Sequence, residues 1–396
     1  MNLLFLTSRL PYPPDRGDRL RAFNFLKQFA AEHEVTLVAF AAKPAELAHL
    51  PALRPYCAEI EVIVKSAASS VASAALSSWR SLPLQALYYR SRPMQRRLDG
   101  LLAERNFEAA YVHLFRMAPY LAGAEGIYRI LDLTDIISRE IRASLPFRPR
   151  HWSALYRQEL PRIERYERQL ATLAEEVWLA SEVDRSLLQA AVPGANVQVV
   201  PNGLNLERLD AAEPDFGQGE GLLFSGHMGV FHNIDAAEVL ARDILPRVRK
   251  TYQHCELRIV GASPAAAVRA LDPLPGVSVT GYVPDLGAEL RRTAVFVAPL
   301  RFAAGVQNKI IEALAAGRAV VTMPAVCQGL GATPGRHLMV ADEPEQAAAI
   351  IIQLLGDPEE RRRLGQAGRE FVLTRFTWQV AAERMQRVAE RLAADE

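Results

Sequence analysis

A chain of 396 residues, half of them hydrophobic and carrying a formal charge of only +1, is long enough for two domains with separate cores and too apolar to be a disordered tail. The charge balance also excludes a dedicated nucleic-acid binder, which carries a basic excess. Three scattered cysteines, Cys57, Cys255 and Cys327, offer neither a disulfide framework nor a C-x-x-C metal spacing, so a reducing, cytoplasmic setting is expected. The apolar run in MNLLFLTSRLPYPP is about five residues, short of the roughly 7–15 of a signal-peptide core. No run approaches the ~18 residues of a membrane span, and a soluble or peripheral protein is expected.

In chain order, short apolar runs alternate with helical periodicity. NLLFLT (2–7), EVTLVAF (34–40), EIEVIV (59–64), AAYVH (109–113), IYRILDL (127–133), EVWLA (176–180) and NVQVV (196–200) are predicted strands, and DRLRAFNFLKQFAAEH (18–33) is the first predicted helix. A second set follows in LLFSG (222–226), ELRIVG (256–261), VSVTGY (277–282), VFVAPL (295–300), AVVTM (319–323) and HLMVA (337–341). This alternation predicts an α/β protein with two doubly wound parallel sheets, each covered by helices on both faces. The stretch 201–220, rich in Gly, Asn, Pro and acids, is the most linker-like region mid-chain. The expected domains are therefore 1–201 and 202–375, followed by one amphipathic helix over 376–396. Two such domains imply a cleft, and ligands of open parallel sheets bind beyond the carboxyl ends of the strands.

Several loops at those ends carry reactive side chains. RLPYPPDRGDR follows the first strand, stiffened by Pro11, Pro13 and Pro14, with Gly17 before a helix whose expected N-cap is Asp18. His113 ends a predicted strand, and an imidazole titrating near neutrality can orient or deprotonate a hydroxyl; a structural histidine is the alternative. Asp132 and Asp135, in LDLTD, end the next strand and are rival bases. Their spacing is not a D-x-D metal pair, and no metal site is expected. WRSLPLQALYYRSRPMQRR (79–97) has five arginines and no acids, and FRPRHWSALYRQELPRIERYER (147–168) mixes aromatics with arginines. Both suit an anionic headgroup layer; a solvated helix face is the alternative, favoured in the second stretch by its acids.

Arginine is the default cation, and only Lys27, Lys43, Lys65, Lys250 and Lys309 break the habit. Lys309 stands in RFAAGVQNKIIEALAAGRAVVTM (301–323), where a predicted helix runs to a C-terminal stop at Gly317. The backbone N–H groups of Val306, Gln307 and Asn308 at its start, with the positive end of the dipole, form an anion site. Gly305 lets a phosphate approach the backbone, and Lys309 offers it a point charge. Glu312, about one turn later, can accept hydrogen bonds from the vicinal hydroxyls of a ribose. The alternative is an ordinary i,i+3 surface pair of Lys309 and Glu312.

GVQNKIIEALAAGRAVV resembles the donor-binding segment of family-four (group 1 type) glycosyltransferases, which have the GT-B fold. The rest of the chain agrees in order. SRLPYPPDRGDRLRAFNFLKQFAAEHEVTLV (8–38) is similar to the family's N-terminal glycine loop, helix and second strand, and VVPNGLNLERL (199–209) to its hinge segment. LLFSGHMGVFHNIDA (222–236) resembles the first strand and loop of the nucleotide domain, VTGYVPDLGAELRRTAVFVAPLR (279–301) the base-contacting loop, and FTWQVAAERM (376–385) the closing helix. More narrowly, RLPYPPDRGDRLR with GVQNKIIEA looks like a bacterial subgroup tied to exopolysaccharide and PEP-CTERM exosortase systems. The resemblance implies that Gly17 leaves room for donor phosphate and sugar, with Arg16 or Arg19 adding charge. It implies that Gly226, His227 and Asn233 line the nucleotide domain's first loop, and that the backbone near Val283 receives the base. His113 matches the second histidine of the family's D-x-x-H-x-H segment, in which Glu108 and Tyr111 replace the other two residues. Two features depart from the pattern. The first of the family's paired glutamates falls on Ala304, and the Arg…Lys-Gly phosphate clamp is missing, for which Lys309 is the expected substitute.

The expectation is a metal-independent hexosyltransferase that moves a sugar, with retention, from a UDP- or GDP-sugar co-substrate to a glycan or lipid-linked glycan. It would work in exopolysaccharide or cell-surface polysaccharide synthesis, in the cytoplasm or at the inner membrane surface through 79–97, without further cofactor and without nucleic acid. The alternative is a catalytically degenerate GT-B scaffold; a sugar-nucleotide epimerase on the same fold is a third reading.

Overall fold

The computed structural model describes residues 1–68, 70–71, 81–121, 124, 126–204, 215–302 and 305–394. The chain divides into two compact units, Met1–Pro201 with Trp378–Glu396, and Asn202–Thr377.

The first unit holds a seven-stranded sheet of β1 (Asn2–Thr7), β2 (Glu34–Ala41), β3 (Glu59–Val64), β4 (Ala109–His113), β5 (Tyr128–Thr134), β6 (Glu176–Leu179) and β7 (Val197–Val199). The order is β3-β2-β1-β4-β5-β6-β7 and every pairing is parallel. Alternation along β1 sends Leu3 and Phe5 to one face and Leu4 and Leu6 to the other. On the first face, helix α1 (Gly17–Phe29) contributes Ala22, Phe25, Leu26 and Phe29 to a core with Tyr111, Ile130 and Trp178. The C-terminal helix Gln379–Ala394 closes the same core with Ala381, Met385 and Val388. On the second face, Met94, Leu98 and Leu101 of Arg92–Glu104 pack over Val38, Val112 and Leu131. Helix Arg150–Leu173 adds Tyr166 and Leu170 to that core.

The second unit holds β8 (Glu220–Ser225), β9 (Leu257–Val260), β10 (Val277–Gly281), β11 (Thr293–Ala298), β12 (Ala319–Thr322) and β13 (Met339–Val340), in the order β10-β9-β8-β11-β12-β13 and again all parallel. In both sheets the order reverses between the first strand and the fourth, β1 beside β4 and β8 beside β11. Connections on either side of such a junction depart in opposite directions and leave a crevice.

Two local expectations are corrected. Arg16, not Asp18, is the N-cap of α1, and its side chain makes no capping bond; Asp18 lies in the first turn, claimed by arginines. The tail is not one helix from 376. It begins at Gln379, while Phe376 packs on Phe371 at 6.0 Å and accepts, through its carbonyl, the Leu204 N–H at 2.9 Å.

Candidate functional site

Backbone strain marks the strand ends. The non-glycine residues with positive φ among those described are Leu114 (72°), Thr134 (66°) and Ser263 (55°). Leu114 follows β4 directly, Thr134 ends β5 and Ser263 lies in the loop after β9. Each such conformation costs on the order of 1–3 kcal/mol and persists only where the surroundings enforce it.

At the carboxyl end of the first sheet, Asp132 is wholly buried. Arg21, also buried, grips it with both prongs, Nε donating to Oδ2 at 2.6 Å and Nη2 to Oδ1 at 3.0 Å. The Tyr111 hydroxyl donates to Oδ2 and the Thr134 N–H to Oδ1 at 3.0 Å. Burial alone would raise this carboxyl, but the Arg21 charge and hydrogen bonds hold it below its usual range. With its lone pairs occupied, Asp132 is a structural anion, and its candidacy as a base is corrected on that ground.

His113 is 1% exposed. Its Nδ1 lies 3.4 Å from the Thr7 hydroxyl, and its buried Nε2 has no hydrogen-bond partner. Desolvation pushes it down to about 4, against the pull of Asp132 and Asp18, so the ring is neutral at pH 7. Asp135 is half-buried, with one carboxyl oxygen sealed and unpartnered. Burial first, then the charges of Asp184 and Glu140, push it well above the carboxylate range. Its carboxyl holds a proton to higher pH than an ordinary aspartate does.

Beside His113 lies a basic cluster that sequence reading only touched. Asp18 accepts from Arg9, with Arg116 Nη2 at 3.6 Å and Arg16 Nε at 3.8 Å. Arg116 also donates from Nε to the Ser8 hydroxyl at 3.1 Å. Gly17 is the first residue of α1, and Arg19 turns instead to Asp15 at 3.2 Å.

In the second unit the predicted donor residues converge. Gly226 follows β8 with its N–H on the Val260 carbonyl at 3.0 Å. A Cβ there would stand 2.9 Å from Asn233 Nδ2 and 3.3 Å from Lys309 Cε. Asn233 is buried; its Nδ2 donates to the His227 carbonyl at 3.0 Å and its Oδ1 accepts from the Lys309 ammonium. That ammonium lies 5.7 Å from the centre of the Phe224 ring. Lys309 and Glu312 occupy the helix Asn308–Ala315, with Gln307 as N-cap and Val306 buried before it. Gly305 has φ +66°, which only glycine adopts freely, and its carbonyl would be 2.6 Å from a Cβ on Gly329. Asn308 accepts from Asn202 Nδ2 at 2.9 Å, fixing the incoming chain to the helix start. Arg301 braces the loop with a bidentate grip on Asp235.

Other expectations fare differently. Val283 lies after β10, two strands from β8 in the sheet order. In 79–97, Trp79 and Arg80 lie outside the described residues, as do Ala304 and the 205–209 part of the hinge segment. The remainder is largely structural. Tyr89 packs on Phe40 and under Arg116, and Lys65 donates to the Tyr88 carbonyl at 2.6 Å. Arg97 pairs with Glu59 and Glu61, whereas Arg92 and Arg96 stay exposed. A recess of about 590 Å³ is lined by Val112, Leu131, Tyr166 and Leu170. It lies on the sheet face opposite Tyr111, among the residues of the second core. Among the described residues no group of three or more His, Cys, Asp or Glu is placed to hold a metal ion. Nor is any helix long and apolar enough to cross a membrane.

Comparison with known proteins bears on the second unit most directly. Residues 219–357 match the family described as Glycosyl transferases group 1. No curated protein matches the chain in sequence. Sucrose-phosphate synthase from Thermosynechococcus elongatus is similar in structure, with TM-score 0.73, 16% identity and 100% of both chains covered. Anabaena HepE in complex with UDP gives 0.66, 16% and 100% of both chains. A TarM variant from S. aureus in complex with fondaparinux, alpha-GlcNAc-glycerol and UDP gives 0.69 and 11%, with 98% of this chain and 99% of that one covered. The chain has the GT-B fold of two Rossmann-like parallel-sheet domains, and its residues 219–357 match the Glycosyl transferases group 1 family.

Proposed function

We propose that the protein transfers a hexosyl group from a nucleoside-diphosphate sugar to a hydroxyl of a glycan or lipid-linked glycan, with retention and in polysaccharide synthesis. The observation that carries this reading is the meeting of Gly226, Asn233 and Lys309 beside the helix start at Gly305–Asn308, inside the group 1 segment. The helix N-terminus and the ammonium face a diphosphate, and Glu312 takes the ribose hydroxyls. UDP in the HepE and TarM structures supports a uridine nucleotide as donor, ahead of GDP. In the reaction the anomeric C–O bond to the diphosphate breaks, the acceptor oxygen bonds to that carbon on the same face, and the hydroxyl proton passes to an oxygen of the leaving diphosphate. The leaving diphosphate is stabilised where its charge develops. Neutral His113 is the remaining candidate to orient the acceptor hydroxyl.

Nucleoside-diphosphate release from UDP- and GDP-sugars, with candidate glycans added, tests this. One donor class should be consumed, and Glu312→Ala should lose that turnover. Release unaffected by Glu312→Ala would refute the assignment. The scaffold reading draws on one observation, that His113 Nε2 is sealed from solvent, and it requires that no donor be consumed at all.

A further inference from the structure

The loop after β1 and the turn after β4 gather three guanidiniums, Arg9, Arg16 and Arg116, around one carboxylate, Asp18. The other arginines at this end of the sheet are neutralised, Arg21 by Asp132 and Arg19 by Asp15 and Glu46. Three cations against one anion leave the cluster itself with two positive charges, one of them offset by the second acid on Arg19, where β1 and β4 part, the place at which open parallel sheets bind ligands. Arg116 and Asp18 are recessed, their side chains being 15% and 20% exposed, while Arg9 and Arg16 lie further out at 31% and 41%. Desolvation, with repulsion from Arg9 and Arg16, lowers the Arg116 guanidinium from its ordinary value although Tyr89 and Asp18 pull the other way. Recessed charge short of a partner is costly unless an anion completes it. Asp18 already demonstrates the geometry, since all three guanidiniums reach its two oxygens.

We propose that this cluster binds an oxyanion, phosphate or carboxylate, carried by the acceptor beside His113. The word acceptor rests on the sugar-transfer reading; the anion site itself does not. Charge-assisted guanidinium bonds supply the affinity, and the remaining positive charge suits an anion.

Calorimetric titration of the full chain with inorganic phosphate, at saturating UDP so that the donor site is filled, tests the proposal. The wild type should bind phosphate, more weakly as salt rises. Arg9→Gln and Arg116→Gln should each weaken it about tenfold and leave UDP affinity unchanged. Asp18→Asn, which removes the competing carboxylate, should strengthen it, a change of sign that a folding defect does not produce. Phosphate affinity indifferent to all three substitutions would overturn the site. A parallel loss of UDP affinity would overturn the acceptor assignment and give these arginines to the donor. Failure of the wild type to bind UDP would sink the sugar-transfer reading, and the phosphate arm then decides the cluster alone. Glucose 1-phosphate and glucuronate, each expected to bind better than glucose, separate phosphate from carboxylate; equal binding of glucose contradicts the proposal.

Discussion

His113 gives a worked linkage prediction. Its value falls from 6.5 to about 4 on burial, so the unfolded chain binds a proton that the native state refuses. At pH 5 the imidazole is roughly 97% protonated unfolded and roughly a tenth protonated native. A group depressed in this way contributes stability that is present above the unfolded value and lost as pH falls. Integrating from pH 7 to pH 5 gives a loss of about 2 kcal/mol. Asp135 acts in the opposite sense, because its raised carboxyl retains a proton in the native state and its contribution fades as pH rises. The comparison must therefore be between wild type and His113→Asn, with the loss from pH 7 to pH 5 smaller in the variant by that 2 kcal/mol. All four tryptophans fall in the first unit, so urea unfolding followed by tryptophan fluorescence reads the right transition. Equal pH dependence in the two proteins would refute a sealed, neutral His113.

Three further outcomes are expected. Arg21→Met should cost roughly 3–5 kcal/mol by stranding buried Asp132, and Arg21→Met with Asp132→Leu should recover most of it; the same fluorescence assay measures both, and a cost near zero would deny the buried pair. Gly226→Ala places a methyl group 2.9 Å from Asn233 Nδ2, so it should displace Asn233 and the Lys309 contact, cost about 1–3 kcal/mol and weaken UDP binding by calorimetry. Asp135→Asn should abolish the loss of stability that raised Asp135 imposes as pH rises above the ordinary carboxylate range, read from unfolding midpoints.

Much of the fold was legible because parallel strands buried on both faces read as continuous apolar runs. β1, β3 and β4 lie on the residues the hydrophobicity marked. The weakest reading, HLMVA, corresponds to a strand of only Met339 and Val340, where burial is partial and the pattern correspondingly faint. The local helix signal at Asp18 misled because the arginines that claim it come from the loop leading into the helix and from the turn after β4. Partners 76 and 111 residues apart, Lys309 with Asn233 and Arg21 with Asp132, leave no local trace. A trace of another kind existed. Asp132 interrupts the apolar run Leu131–Leu133 and Arg21 stands between buried Leu20 and Ala22, and a charge at a core position demands a buried partner. Arg9 and Arg116 carried no such mark, since arginine is common throughout this chain.

The claim of a donor site in the second unit is tested most directly by thermal unfolding with UDP-, GDP-, ADP- and dTDP-sugars, run on wild type and Glu312→Ala. Ligand at 100-fold its Kd adds ~2.7 kcal/mol to the native state. The account predicts stabilisation by one nucleotide class, UDP foremost, that disappears in Glu312→Ala; stabilisation that persists in the variant, or none with any nucleotide, would contradict it.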